Sequence, residues 1–337
     1  MPFDGFRCYL RRTLLKKFGV VIALLICAAL LPVAAEVDIA APLRVLALIG
    51  PTGMGMAPMI AQKDARYVFT LASAPDELTG SIISGNFDVA AVPTNLAALL
   101  YQKTKGQVQM LAVNTLGVLY ILERGDTVHQ AGDLAGRTIV TSGQGSVPEY
   151  ALNYILAAGG LSDTRIDYKA EHNEVSALAA AGKADLVMLP QPMATALLMK
   201  DPSVRIALDV TELFAQAARQ QGRPQAVLSM GCLIVRRGFA QENPAAVADF
   251  LSQYSQSVDL VNTDIRQAAM DIVAAGILPD EAIAQKAIPL CNIVYIDGAA
   301  MQLQLTPLFE ILFDANPASI GGALPDEAFY WTAPEHG

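Results

Sequence analysis

From residue 43 onward, short apolar runs alternate with amphipathic segments. Short apolar runs bounded by glycine, proline or asparagine are typical of buried strands, and longer segments with apolar residues three or four apart are typical of helices. Strands are predicted at 43–49, 67–71, 87–92, 108–113, 117–123, 138–140, 165–169, 184–188, 204–208 and 231–235. Helices are predicted at 56–63, 75–84, 96–102, 147–158, 174–181, 193–199, 244–262, 265–275, 280–288 and 300–313. This alternation predicts an α/β fold with parallel sheets.

Two segments of the chain repeat the same pattern of turn and strand residues. LTGSIISGNFDVAAVP and VSALAAAGKADLVMLP both indicate a helix that ends at glycine, then an aspartate, an apolar strand and a proline. The spacing is the same in Gly85/Asp88/Pro93 and in Gly182/Asp185/Pro190. Any α/β unit has some of these features, but the matched spacing indicates two related halves.

The first 35 residues predict an export signal. Residues 1–17 carry five basic residues against one acid, residues 18–31 are apolar, and small residues lead to a cleavage position after Ala35. The apolar run is shorter than the roughly 20 residues that a spanning helix needs, so a membrane anchor is the weaker interpretation. Arg11-Arg12 also resembles a twin-arginine signal, so the general secretory and twin-arginine routes both stay open. Either route places the mature protein in the periplasm.

Charge and cysteine content limit the binding partners and the metal or disulfide chemistry that the chain can have. The net charge is −9, and removal of residues 1–35 changes it to −13, which disfavours nucleic acid and anionic membranes as partners. Cys232 and Cys291 remain, and they form either a disulfide in an oxidising compartment or two buried free thiols. Two cysteines without a nearby histidine pair do not predict a metal site. No cofactor and no metal are expected.

Four pieces of sequence carry a resemblance to a known family. They are Ser84-Gly85-Asn86-Phe87-Asp88-Val89-Ala90, Asp133-Leu134-Ala135-Gly136-Arg137-Thr138-Ile139, Gly143-Gln144-Gly145-Ser146 and Gly182-Lys183-Ala184-Asp185. With them the chain resembles the periplasmic substrate-binding proteins of the nitrate/sulfonate/taurine ABC transporter group, including those for thiamine-pyrimidine precursors. The resemblance implies the type II periplasmic-binding-protein fold, two Rossmann-like lobes joined by two crossing strands, with hinge closure around a ligand. Lobe 1 is then expected at 36–115 and 232–337, and lobe 2 at 116–231.

The candidate site follows from a geometric rule. Ligands of open α/β sheets bind beyond the carboxyl ends of the strands, which selects the loops 50–55, 93–95, 142–146 and 190–192, while the crossing segments add Asn114 and Met230. The candidate ligand-binding residues are Thr52, Gly53, Met54, Thr94, Asn95, Asn114, Gln144, Gly145, Ser146, Gln191 and Met230. Ser146 could instead be an ordinary N-cap. The methionines indicate an apolar ligand body, with core packing as the alternative.

The same loops contain no arginine or lysine, which argues against a small, fully desolvated dianion. Enzyme interpretations are weaker. We expect His129 and His172 to be solvated, and no serine-nucleophile, zinc or dinucleotide motif is present. The resembling pyrimidine synthases consume an active-site histidine and carry a cysteine-rich stretch, and this chain shows neither a histidine in the strand-end loops nor such a stretch.

The sequence therefore predicts a monomeric, non-enzymatic solute-binding component of an ABC importer, with a permease and an ATPase as partners. The ligand stays open among sulfonates, pyrimidines and aromatic molecules. Two alternatives remain: a ligand-sensing module that serves a membrane kinase, and a pyrimidine-biosynthesis enzyme.

Overall fold

The structure, a computed structural model, describes residues 41–333, and the predicted export signal lies outside these residues. The strands are β1 (Leu43–Leu48), β2 (Tyr67–Ala72), β3 (Val89–Pro93), β4 (Val108–Leu116), β5 (Leu119–Arg124), β6 (Thr138–Thr141), β7 (Arg165–Tyr168), β8 (Leu186–Pro190), β9 (Val204–Asp209), β10 (Ser229–Arg236) and β11 (Ile293–Asp297).

The α-helices alternate with these strands and then dominate the C-terminal third. They are α1 (Pro51–Met54), α2 (Ala57–Gln62), α3 (Pro75–Ile83), α4 (Thr94–Lys103), α5 (Val147–Ala158), α6 (His172–Ala180), α7 (Met193–Lys200), α8 (Val210–Gln220), α9 (Arg237–Glu242), α10 (Pro244–Thr263), α11 (Ile265–Ala274), α12 (Glu281–Ala287) and α13 (Gly298–Ala315). Short 3₁₀ helices lie at Ala131–Leu134, Ile288–Leu290, Pro317–Ile320 and Glu327–Phe329. In the described residues, no helix is both long and apolar enough to cross a membrane.

The strands form two sheets that share one plan. The first has the order β11-β4-β10-β3-β1-β2, and the second has the order β7-β6-β8-β5-β9. In each sheet three neighbouring strands are parallel, namely β2-β1-β3 and β7-β6-β8. The fourth strand beside each parallel trio is antiparallel to it, β10 in the first sheet and β5 in the second. This is the predicted two-lobed α/β fold.

The expectation of parallel sheets was wrong, because both sheets are mixed. β3 and β8 end at Pro93 and Pro190, at the side where the two sheets face each other. β5 and β10 are the first strands that the chain forms after it crosses from one sheet to the other. Each therefore enters its sheet from the facing side and must run against the strands that end there.

The crossings lie close to the expected places. The chain leaves the first sheet at Leu116, where β4 ends, and enters the second at Leu119. It returns at Ser229, where β10 begins. The assignment of 36–115 with 232–337 and of 116–231 to separately moving lobes stays a prediction.

The C-terminal segment packs against the first sheet. The Trp331 N–H donates to Met110 O at 2.9 Å, and Tyr330 forms a bridge with Met110 on β4. The Tyr101 hydroxyl on α4 donates to Asp326 Oδ1 at 2.6 Å. These contacts fasten the end of the described chain to the sheet in which the chain began.

Cys232 and Cys291 are free and buried, so of the two alternatives left open the structure has the free thiols and not the disulfide. Cys232 lies on β10, and Cys291 lies two residues before β11. The strand β4 separates β10 from β11. Strands two places apart are roughly 10 Å apart, whereas the Cα atoms of a disulfide lie within about 7 Å.

Candidate functional site

A cavity of about 520 Å³ lies where the carboxyl ends of the strands of the two sheets face each other. Both sheets contribute to its wall, through the segments after β1, β2, β3, β6, β7 and β8 and through the two crossings. Its lining residues are Ile49, Gly50, Pro51, Thr52, Pro75, Pro93, Asn95, Leu96, Thr115, Val118, Ser146, Val147, Pro148, His172, Pro190, Gln191, Pro192, Met193 and Met230. We call this cavity the cleft.

Five of the predicted ligand-binding residues line the cleft: Thr52, Asn95, Ser146, Gln191 and Met230. They come from all four predicted strand-end loops on both sheets and from the return crossing, although the 142–146 loop contributes only its last residue. The rule about strand ends therefore finds the cleft, and the ligand-binding role of these residues stays a prediction.

Gly53 and Met54 lie behind the wall of the cleft. The predicted loop at 50–55 contains a helical turn, α1, and both residues are buried in it. A Cβ on Gly53 would stand 2.3 Å from Leu48 O, so glycine is required there by the close approach of β1. Met54 is fully buried and belongs to the core, which was the alternative interpretation.

Thr94 and Asn114 are also fully buried, and their polar groups are paired inside the protein. The Thr94 and Ser229 hydroxyls share a hydrogen bond of 2.7 Å. Asn114 Nδ2 donates to Thr52 O at 2.9 Å, and its Oδ1 accepts from the Thr115 hydroxyl at 3.0 Å. These two residues support the cleft from behind.

Gln144 and Gly145 are exposed and lie outside the cleft lining. The Gly145 N–H donates to Glu149 Oε2 at 2.5 Å. Ser146 occupies the N-cap position of α5, but its hydroxyl donates to Gly143 O at 2.6 Å instead of capping the helix. The loop is therefore closed on itself, and only its last residue reaches the cleft.

Gln191 is the most unusual polar residue of the cleft lining. It is 2% exposed, and only one of the two polar atoms of its side-chain amide has a hydrogen-bond partner. Its Oε1 accepts from the Thr195 N–H at 3.2 Å and from the Thr195 hydroxyl at 2.7 Å. Its Nε2 is buried and has no hydrogen-bond partner among the described residues. An amide nitrogen in this state normally has a partner.

The expectation that His172 is solvated was wrong. His172 is the first residue of α6, lines the cleft and shares a hydrogen bond between its Nδ1 and the Ser142 hydroxyl. Burial lowers the pKa of His172, and the charge of Glu171 acts in the opposite direction. The polar sequence around His172 did not indicate that this residue lines the cleft. His172 reaches the cleft because it follows the end of β7. His129 is exposed, as expected.

The cleft lining has no aspartate, glutamate, lysine or arginine among the described residues. Five helices, α3 to α7, place their first turns at the cleft. Helix N-termini carry partial positive charge, which favours hydrogen-bond acceptors and negative groups. The arrangement can hold an uncharged or weakly anionic small molecule, and the described lining has no carboxylate that would neutralise a cation.

The fold and the cleft define the class: this is a two-lobed chain with the periplasmic-binding-protein architecture. Residues 105–268 match the model of the NMT1/THI5-like family, which confirms the resemblance seen in the sequence. No curated protein has a significantly similar sequence.

Solved structures of that architecture are similar to the whole described fold. An ABC transporter structure from Parabacteroides distasonis has a TM-score of 0.74 and 20% identity, over 88% of this chain and 100% of that one. The periplasmic aliphatic sulphonate binding protein SsuA from Escherichia coli has a TM-score of 0.68 and 16% identity, over 87% and 92% of the two chains. The alkanesulfonate-binding protein SsuA from Xanthomonas axonopodis pv. citri, bound to MOPS, has a TM-score of 0.59 and 18% identity, over 85% and 95%. At these identities the likeness establishes the fold.

Proposed function

We propose that this protein is an extracytoplasmic solute-binding protein of an ABC importer, which captures a small organic ligand of the sulfonate, pyrimidine or aromatic type. The observation that carries the proposal is the cleft, lined from both sheets at the ends of their strands. A ligand that contacts both halves stabilises the closed arrangement, because only there does it make both sets of contacts. Hinge closure is the functional event, and no catalysis is involved.

The proposed setting follows from the same fold. The similar solved structures include periplasmic binding proteins for sulfonates, which supports export of this chain with cleavage near Ala35 and delivery of ligand to a membrane permease and its ATPase. The acidic mature chain fits a protein that moves freely between encounters with such a complex.

The test is ligand binding by residues 36–337. Thermal shift against a panel of sulfonates, pyrimidines and aromatic acids should give at least one hit, since a ligand at a hundred times its Kd adds about 2.7 kcal/mol. Small-angle X-ray scattering with that ligand should show a smaller radius of gyration. A folded protein that binds no member of the panel and holds no copurified ligand by mass spectrometry would contradict the proposal.

A double variant places the test in the cleft. Asn95 and Ser146 line it from opposite sheets, so Asn95→Ala with Ser146→Ala should abolish ligand binding. The melting temperature without ligand should change little, because Asn95 makes only a 3.4 Å hydrogen bond to Ser319 O and Ser146 bonds within its own loop. Intact binding by the double variant would place the ligand elsewhere.

One observation favours a second candidate function. His172 lines the cleft, and the resembling pyrimidine synthases consume an active-site histidine. The cysteine-rich stretch of those enzymes has no counterpart in the described residues, where Cys232 and Cys291 are both buried. Peptide mass mapping after incubation with substrate candidates decides: a histidine consumed at position 172 would indicate the enzyme, and an unchanged His172 with bound ligand would indicate the binding protein.

A further inference from the structure

The orientation of the Gln191 amide is fixed by its neighbour on the next helix. Both hydrogens of Thr195 that reach Gln191, from the backbone N–H and the hydroxyl, point at Oε1. If the amide were flipped, Nε2 would face the Thr195 N–H, and two donors would oppose each other. Nε2 is therefore the atom left over for a partner outside Thr195.

The unpaired Nε2 of Gln191 destabilises the ligand-free protein. A buried N–H without an acceptor is destabilising, and Gln191 has one at a residue that is 2% exposed. Gln191 lines the cleft, so an acceptor atom on a ligand is the group that would remove this destabilisation. A ligand without an acceptor at this position would leave the donor unpaired in an even drier environment.

The surroundings restrict the rest of the ligand. The described lining has no carboxylate to pair with a cation and no lysine or arginine to neutralise a dianion. Most of the lining is apolar: six prolines lie in it together with isoleucine, leucine, valine and methionine side chains. Such a wall fits an apolar body, as in most small-molecule sites.

We propose that Gln191 determines the ligand specificity of the cleft, by donating from Nε2 to an acceptor on a largely apolar ligand that carries at most one negative charge. This rests on the proposed function. The carbonyl oxygen of an amide or a cyclic imide, a carboxylate and a sulfonate all satisfy the donor, whereas an ammonium group does not.

The experiment uses naphthalene probes that share one body and differ in the polar group. Isothermal titration calorimetry of the purified protein compares 2-naphthoate, 2-naphthamide, 2-naphthylmethylammonium and naphthalene-2,6-dicarboxylate. Naphthoate and naphthamide should bind, and the ammonium and the dicarboxylate should bind at least tenfold more weakly. The variant Gln191→Glu keeps an oxygen for Thr195 but replaces the donor, so its affinity for naphthoate should fall at least thirtyfold. Its affinity for naphthamide should fall less, since the N–H₂ group of naphthamide can turn toward the new carboxylate.

The matched control is Gln220→Glu. It makes the same substitution and adds the same charge, but at an exposed position at the end of α8, outside the lining. Its naphthoate affinity should stay within twofold of the parent protein. Circular dichroism and thermal melting of both variants check the fold, and the side-chain ¹⁵N signal of Gln191 in the parent protein should move when naphthoate is added.

The outcomes separate the two proposals. Naphthoate affinity in Gln191→Glu within threefold of the parent, or tighter binding of the ammonium than of naphthoate, would overturn the role of Gln191 and leave the binding-protein function intact. Failure of all four probes, while a metabolite of another class binds, would overturn the ligand class alone. A folded, ligand-free protein that binds neither the probes nor any metabolite would overturn the function itself.

Discussion

Thr94 and Gln191 occupy matching positions in the two sheets and have opposite states. Each follows the proline that ends a parallel strand, and each lies nine residues after the glycine of the repeated pattern, Gly85 or Gly182. Thr94 is fully buried and paired with Ser229. Gln191 is almost as buried, but its Nε2 has no partner among the described residues. One strand-end position is thus paired within the protein, and the other keeps an unpaired donor, which we propose binds the ligand.

The difference extends to the neighbours of these two residues. On the side of the first sheet, Asn114 donates to the Thr52 carbonyl and accepts a hydrogen bond from the Thr115 hydroxyl. On the side of the second sheet, His172 uses Nδ1 for Ser142, and the structure gives its Nε2 no hydrogen bond within residues 41–333. The polar groups behind the first half of the cleft are therefore paired within the protein, whereas the second half has the unpaired donor on which the proposed ligand recognition depends. Substitutions of the buried residues behind the first half, Thr94 and Asn114, should change stability, and substitution of Gln191 in the second half should change binding.

The largest effect is expected for Asn114→Asp. The new carboxylate would place an oxygen against Thr52 O in a fully buried position, so the free energy of unfolding should fall by about 3 kcal/mol or more. Chemical denaturation without ligand measures this. The control is Asn95→Asp on the cleft surface, which should cost much less because Asn95 is only half-buried. Equal stability of the two variants would contradict the distinction between the buried residues behind the cleft and the residues on its surface.

Thr94→Val should have a smaller effect of the same kind. Valine keeps the shape but leaves the buried Ser229 hydroxyl without its 2.7 Å partner, which should cost about 1–2 kcal/mol. The affinity for 2-naphthoate should change by less than threefold. A double-mutant cycle with Ser229→Ala checks that the loss belongs to this pair, and a large loss of affinity in Thr94→Val would show that the first half also recognises ligand.

Thr195→Val tests how the Gln191 amide is held. The hydroxyl bond to Oε1 disappears and the backbone N–H bond remains, so stability should fall by about 1 kcal/mol. Naphthoate binding should weaken severalfold, because the amide is free to rotate. Thr195→Ser, which keeps the hydroxyl, should restore most of the affinity. If serine fails to restore it, the effect lies in packing and not in the orientation of Gln191.

Local patterns predicted much of this fold. The bounds of α5 agree with the predicted helix at 147–158, since its apolar residues recur every three or four positions. The strands that end at Pro93 and Pro190 were found from their apolar runs. The helix α8 was missed although its buried residues Val210, Leu213, Phe214 and Ala217 have helical spacing, so that signal was present in the sequence. The short strand β11 and the helix α9 were also missed.

Other features depend on contacts that no local pattern contains. The direction of β5 and β10 is set by the side from which the chain enters each sheet, so the mixed sheets could not be predicted from the runs of residues. The strand-end rule located Gln191, but whether its amide is paired depends on Thr195 one helical turn later. A glutamine before a helix, followed four residues on by threonine, is a signal that could have been used. Thr94 and Asn114 were assigned to ligand because their buried partners are distant in sequence.

The smallest effect concerns the titration of His172. Because burial lowers its pKa, the folded protein favours the neutral ring, so its contribution to stability is complete above the unfolded pKa of about 6.5 and is lost as the pH falls below that value. For one proton the slope cannot exceed about 1.4 kcal/mol per pH unit. Urea unfolding of the ligand-free protein at pH 7.5 and pH 5 should therefore show a smaller drop for His172→Gln than for the parent protein. His129→Gln removes an exposed histidine and controls for the substitution itself. An equal drop in His172→Gln and the parent would mean that His172 is as accessible to protons in the fold as in the unfolded chain, and the second half of the cleft would then be wetter than its burial implies.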